Sequence, residues 1–346
     1  MKTASAQPAS GHDTETVEGA DILLQVCGRL RAAERAVIVC DASTRELGEL
    51  LAARARRLTD GVELLDAPPA GMHGEEPPQE VAEAMRRADL CLGIRAKSMA
   101  HTQARLAAAA AGARYLSLPD YSLALLRDRS LRADYEARGR LARGIAEIFT
   151  RGTTATVTSA AGTRVTMGIE GRTGNGCPGY VAQPGELGSP PDIEANVSPI
   201  ETSGEGLVVV DGSIPYPGLG LLNEPVILTV AGGRIINMDG PAKIVETLKR
   251  LFASAGSWKA SVLAECGVGL NDRAALTGVM LTDEGAAGTM HFGFGSNATV
   301  GGKNDVPFHL DFVFRSPSLE VDGTAALRDG ALTGALAGAA RTGERS

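Results

Sequence analysis

The chain is expected to be an α/β protein in two parts: a three-layer N-terminal domain on a parallel sheet, then a mostly antiparallel β (α+β) domain that binds metal. Three observations predict this. Between residues 20 and 149, short apolar strands alternate with amphipathic helical runs, the pattern of βαβ units whose sheet is covered on both faces. After about residue 150 the strands alternate in period two and are punctuated by Gly-Gly and Asp-Gly pairs, which suit tight hairpins. Two of the five histidines fall close together in that second half.

Taken in order, DILLQVCGRLRAA reads as a helix, AVIVCDA as a strand, RELGELLAARARRL as a helix and VELLDAP as a strand. EVAEAMRRA is then a helix, and DLCLGIR and ARYLSLPD are strands. LRADYEARGRLARGIAEIFTRG is a long helix with Arg, Ala and Glu on its wet face, leading out of the first domain. TATVTSAAGTRVTMGIEG, GLVVVDGSI, EPVILTVAGGRIINMDG and PSLEVDGTAALRDGAL supply the hairpins. One helix, PAKIVETLKRLFASAG, and a second around NDRAALTG interrupt them. The expected boundaries are a disordered leader over 1–18, an α/β domain over 19–150, a metal-binding domain over 151–335 and a frayed tail over 336–346.

Composition excludes several functions. The chain has 346 residues, 44% hydrophobic and 22% charged, ample for a large core. A net charge of −7 without a Lys/Arg stripe argues against nucleic acid. The longest apolar stretches are broken by Gly and charge well short of a bilayer span, so no membrane segment is expected. The first residues lack the basic start and apolar centre of a secretory signal, which predicts a cytoplasmic protein. Five cysteines at wide spacings, with no CxxC pair, fit reduced thiols rather than a disulfide framework or a sulfur-held zinc.

The chemistry concentrates in PFHLDFVFR. On a strand, residues two apart point the same way, so His309 and Asp311 share a face while Phe308, Leu310, Phe312 and Phe314 anchor the other. An isolated His-x-Asp would serve equally to orient an imidazole, but its neighbourhood adds donors. Glu265 in LAECGVGLN lies between apolar residues and a Gly-rich turn, where an unpaired carboxylate is costly to bury. His291 in MHFGFGSN ends a strand that runs into a Gly-rich loop, and Glu201 follows a Pro-containing turn in NVSPIETSGEG. This mixed N/O set suits zinc, manganese, cobalt or iron. Lys303 could reach an anionic substrate group, although a loop Lys is usually just solvated. Cys266 points away from Glu265 and reads as a small core residue. GXSXG is absent, and GLGLL is no dinucleotide fingerprint.

The ordered series SPIETSGEG, LAECGVGLN, MHFGFGSN, VGGKND and HLDFVF resembles the metal-binding half of the leucyl aminopeptidases of the aminopeptidase T and S type. It also resembles the 2,5-dihydroxypyridine 5,6-dioxygenases, which are similar in scaffold. The resemblance spans roughly residues 190–330 and implies a homo-oligomer. The aminopeptidase pattern implies two metals on Glu201, Glu265, His291, His309 and Asp311. The dioxygenases keep the His-x-Asp pair but carry His in place of Glu265 and an apolar residue in place of His291. Asn297 and Ala298 stand where the aminopeptidases have a Tyr, which leaves Asn297 as a candidate substrate contact, while the short loop before His309 looks like the dioxygenase form.

The resulting expectation is a hydrolase with one or two Zn, Mn or Co ions, acting on an amide or related bond of a small molecule or peptide. A metal-activated water would be the nucleophile and Glu265 or Glu201 the base. The alternatives are an Fe(II)-dependent ring-cleaving dioxygenase of a hydroxylated, pyridine-like aromatic, and a catalytically silent metal-binding relative.

Overall fold

Apolar strands without alternation need cover on both faces, and the first strands of this chain find it. The computed structural model describes residues 12–343, with side chains to residue 340. Two units result: residues 12–132 with 179–190, and residues 133–178 with 191–343.

In the first unit, strands Arg35–Cys40, Gly61–Asp66, Leu90–Gly93, Arg114–Ser117 and Leu187–Gly188 form a five-stranded parallel sheet. The 35–40 strand lies between 61–66 and 90–93, and the 114–117 and 187–188 strands follow. Val37, Val39, Cys91 and Tyr115 share a core with Val81 and Met85 of helix Gln79–Arg87 and Ala108 of helix Gln103–Ala110. On the opposite face Cys40 meets helix Arg45–Ala55 at Gly48, where a Cβ would stand 3.1 Å from Cys40. These are the three expected layers.

Two details differ from expectation. Residues 14–18 of the expected leader belong to helix Thr14–Asp21, because the Asp13 side chain accepts from Thr16 N at 2.8 Å and caps it; residues 1–11 lie outside the described residues. The helix continues as a π-helical turn, Ile22–Cys27, and stops at Gly28, where Arg29 has φ 50°.

The second unit begins before helix Tyr135–Arg151, so the chain divides after Arg132 rather than at residue 150. Leu141, Ile145 and Phe149 form the buried stripe of that helix. An eight-stranded and a seven-stranded antiparallel sheet follow. The hairpins turn where expected: Gly232-Gly233 (φ 56° and 71°), Asp322-Gly323 (49° and 78°) and Asp329-Gly330 (48° and 81°) take the paired positive φ of type I′ turns. The helix expected around NDRAALTG does not form. The Asn271 side-chain oxygen accepts from the amides of Arg273 (2.9 Å) and Ala274 (3.2 Å), a local turn that competes with helix, and a short helix appears instead at Met280–Asp283. Part of the expected frayed tail is helical, in Gly334–Gly343; residues 344–346 lie outside the described residues. Among the described residues no helix is long and apolar enough to cross a membrane. All five cysteines are free thiols.

Candidate metal centre

Four neighbouring strands of the seven-stranded sheet build the site: Glu194–Val197, Leu263–Gly269, Thr289–Gly295 and His309–Arg315. Alternation sends Cys266, Phe292, Phe294, Phe312 and Phe314 to one face, where Phe292 packs on Phe314 with centroids 5.2 Å apart and Phe294 on Phe312 at 5.6 Å. Glu194, Glu265, His291, His309 and Asp311 occupy the other.

The register explains how five large polar side chains fit side by side. Each stands across from a glycine: Glu194 from Gly269, His291 from Gly267, Glu265 and Asp311 from Gly293, and His309 from Gly295. A Cβ at Gly267 would collide with the His291 ring, and one at Gly293 would lie 2.5 Å from His309 Nε2 and 2.8 Å from Asp311 Oδ1. These glycines were expected to be turns and loops. They lie inside strands, and their bare backbone is the floor over which the donors lie.

The donors form two triads, Glu194–Glu265–His291 and Glu265–His309–Asp311. His309 Nδ1 is 2.9 Å from the Ser296 carbonyl, to which it donates, so Nε2 is the nitrogen left for the site. That Nε2 lies 3.2 Å from Asp311 Oδ1 and 3.4 Å from Glu265 Oε2. His291 Nε2 lies 3.2 Å from Glu194 Oε2 and 3.8 Å from Glu265 Oε1. Glu265 therefore turns one oxygen toward each imidazole. Asn196 Nδ2 steadies Glu194 by donating to Oε1 at 2.7 Å.

Negative charge is in excess. Burial pushes the carboxyls of Asp192 and Glu284 well above their ordinary range, with nearby acids adding to the push, and Asp192 Oδ1 and Glu284 Oε1 are buried without a hydrogen-bond partner. Burial also acts to raise Glu265 and Asp311, but the facing imidazoles outweigh it and hold both below the usual range. Burial would lower His291 and His309; Glu194 and Asp311 respectively lead the carboxylates that raise them well above it. The cluster thus demands positive charge between its members, and protons on the imidazoles or a divalent cation can supply it. Hard oxygens, two imidazoles with one nitrogen each aimed inward, and a glycine floor fit a metal. His309 is the open side, 32% exposed, whereas its partners are at 9% or less.

Four expected residues, Glu265, His291, His309 and Asp311, come together; Glu201 does not. Its carboxylate accepts from Arg172 Nη2 (2.5 Å), Lys303 N (2.7 Å) and Asn297 Nδ2 (3.1 Å), which neutralise it as a loop clamp. It is therefore not free to serve as a base. Glu194 occupies the place expected for Glu201. Its signal was available in PDIEANV, where Glu194 and Asn196 alternate as His309 and Asp311 do. Asn297 is buried and braces the same loop, donating to Ser198 Oγ at 2.8 Å and accepting from Asn304 N at 2.7 Å, so its amide is not presented to a substrate. The Lys303 side chain is exposed, and the backbone of that residue completes the clamp. Cys266 faces the core, its thiol pushed up to about 12 by burial, and is no nucleophile.

Comparison with known proteins adds the family. A family model for 2,5-dihydroxypyridine 5,6-dioxygenase (NicX) matches residues 17–334. A 2,5-dihydroxypyridine 5,6-dioxygenase of Pseudomonas putida is 28% identical over 162 residues, which is 44% of this chain and 46% of that protein. The matched stretch thus spans under half of that relative's length. The structure of the 2,5-dihydroxypyridine dioxygenase from Pseudomonas putida KT2440 superposes with a TM-score of 0.81 at 20% identity, covering 94% of this chain and 100% of that one. AmpT from Thermus thermophilus superposes with a TM-score of 0.70 at 16% identity, covering 92% and 99%. Both superpositions establish the fold, as the resemblance to this superfamily implied. The expectation of a hydrolase is overturned: the family model and the curated relative are dioxygenases, and the likeness to AmpT is one of fold.

Proposed function

Because this chain belongs to the 2,5-dihydroxypyridine 5,6-dioxygenase family, we propose that it is an Fe(II)-dependent dioxygenase that opens the ring of a hydroxylated, pyridine-like aromatic. The observation that carries the reading is the convergence of Glu265, His309 and Asp311 inside the stretch matched by that family. These residues would hold the metal, as a set with one carboxylate more than the usual two-histidine, one-carboxylate triad. An iron(II) ion bound there supplies the one-electron chemistry that lets O2 react with a closed-shell ring. The net change places both oxygen atoms on the two carbons whose bond breaks, so no further reductant is needed.

The remaining work falls to the chain itself. Asp311 and the Ser296 carbonyl fix the His309 ring from both sides. Once a bound metal has displaced its proton, His291 Nε2, between Glu194 and Glu265, would take up the proton released by a ring hydroxyl, and Glu194 would stabilise the imidazolium that results. The ring enters past His309, the exposed member. The acidic net charge and absence of a basic stripe suit a small neutral substrate rather than nucleic acid; reduced thiols suit the cytoplasm. Protein prepared without oxygen, loaded with Fe(II) and given 2,5-dihydroxypyridine should consume one O2 per ring in an oxygen electrode, and Asp311→Ala should not. Uptake no faster than in the metal-free protein would refute the proposal.

A further inference from the structure

The first unit carries a second polar cluster, far in sequence from the metal ligands. From the 35–40 strand the chain runs outward to 61–66 and then crosses back to 90–93 on the other side, so the sheet has a topological switch point between 35–40 and 90–93. In open α/β sheets such a point, at the carboxyl ends of the strands, is where ligands bind. Here the two loops leaving those strands are tied together: Ala96 N donates to Asp41 Oδ2 at 2.9 Å and Ile94 N to Val39 O at 2.9 Å.

Between those residues stands Arg95, 2% exposed. Its Nη2 donates to the Pro68 carbonyl at 2.7 Å, while Nε and Nη1 are buried with no hydrogen-bond partner. Tyr115 on the adjacent strand is 1% exposed, and its hydroxyl also lacks a partner. The phenol reaches across Gly93, where any Cβ would collide with its oxygen, and so arrives at the strand end that bears Arg95. Arg105, half-buried, spends Nε on the Ala100 carbonyl at 2.5 Å. Both guanidiniums act on the Tyr115 phenol, which burial keeps protonated and therefore a donor. Among the described residues no carboxylate pairs with Arg95 or Arg105. The nearby Asp41 is taken up by Ser43, Thr44 and Ala96. A buried guanidinium with two unmet donors, a buried phenol with a third and a half-buried guanidinium beside them make a costly arrangement, and it has the polarity of a site for negatively charged oxygen.

We propose that Arg95, Arg105 and Tyr115 form an oxyanion-binding pocket at this switch point, which takes the carboxylate or phosphate group of a small ligand. A bound oxyanion receives hydrogen bonds from Arg95 Nε and Nη1 and the Tyr115 hydroxyl, with Arg105 adding charge from the more exposed side. The site is independent of the metal centre and of the reading given to it.

The test titrates the full chain with inorganic phosphate and, separately, with acetate, at ionic strength held constant with sodium chloride, by calorimetry and thermal melting. Saturable binding with a rise in Tm is expected. Tyr115→Phe should weaken it by roughly tenfold and Arg95→Met should remove it; if Arg95→Met does not fold, Arg105→Gln takes its place with a similar loss. Tighter phosphate binding assigns a phosphate-bearing ligand, and tighter acetate binding a carboxylate. A Tm that follows ionic strength alone, as for a pocket filled by ordered water, overturns the proposal, and so does binding left unchanged in both Tyr115→Phe and Arg105→Gln.

Discussion

Gly293→Ala tests the account of the metal centre with the least chemistry removed. Gly293 is in a strand and is not among the positive-φ glycines, so alanine meets no backbone strain there. The cost is collision. The new Cβ would stand 2.5 Å from His309 Nε2, 2.7 Å from Cε1 and 2.8 Å from Asp311 Oδ1, where ordinary contact begins at 3.4 Å, so the ring must retreat by about 0.9 Å. Retreat is opposed because Nδ1 is held by the Ser296 carbonyl at 2.9 Å and His309 itself is paired to Gly295. Metal ligands tolerate displacements of only about 0.2 Å. The fold should survive, at a cost of roughly 1–3 kcal/mol for overpacking, while metal affinity falls by about 10–100-fold. Calorimetric titration of metal-free protein with Fe(II) or Mn(II), beside thermal melts, reads both quantities. Gly338→Ala, whose Cβ would meet nothing within 4 Å, is the control. Metal affinity within about twofold of wild type, in a Gly293→Ala protein that melts normally, would show that the glycine floor does not set the ligand geometry.

Glu201→Ala should lower stability by about 1–3 kcal/mol, since it strands the largely buried Arg172 guanidinium, yet leave metal content by elemental analysis unchanged; a loss of metal would return Glu201 to the site. Glu194→Gln keeps the Asn196 hydrogen bond and nearly the same volume but removes the charge facing His291, so O2 uptake should drop by roughly tenfold or more in a protein that melts normally. In metal-free protein the raised His291 and His309 contribute stability that is fully present below the ordinary histidine value and lost as pH rises through their raised ones. The Tm of chelator-treated protein should therefore fall on the alkaline side, and that of metal-loaded protein should not. For the same reason metal binding must release protons, and titrations in buffers of different ionisation enthalpy should give different apparent heats; equal heats would mean that the imidazoles are already neutral.

The parts of this structure that were legible from sequence are those governed by local periodicity. Period two placed His309 and Asp311 on one face, and alternation of strand with helix gave the three layers of the first unit. The two-residue strand Leu187–Gly188 is too short to show a period. What escaped was non-local. The glycines of LAECGVGLN and MHFGFGSN carry a strong local turn signal, and only the antiparallel register, which sets Gly293 opposite both Glu265 and Asp311, converts them into the floor of a site. The exchange of Glu201 for Glu194 has the same origin: nothing near Glu201 in sequence announces that Arg172 arrives to neutralise it. The misassigned reaction has a different cause. Carboxylates and imidazoles satisfy the charge and hardness of a divalent ion, and those properties are shared by ions that hydrolyse and ions that activate O2. A donor list therefore selects a metal class and stops there. Which reaction follows depends on which positions around the metal stay open and on what the surrounding walls admit. Those are properties of the whole chain, and similarity across residues 17–334 reports on them where a cluster of donor side chains cannot.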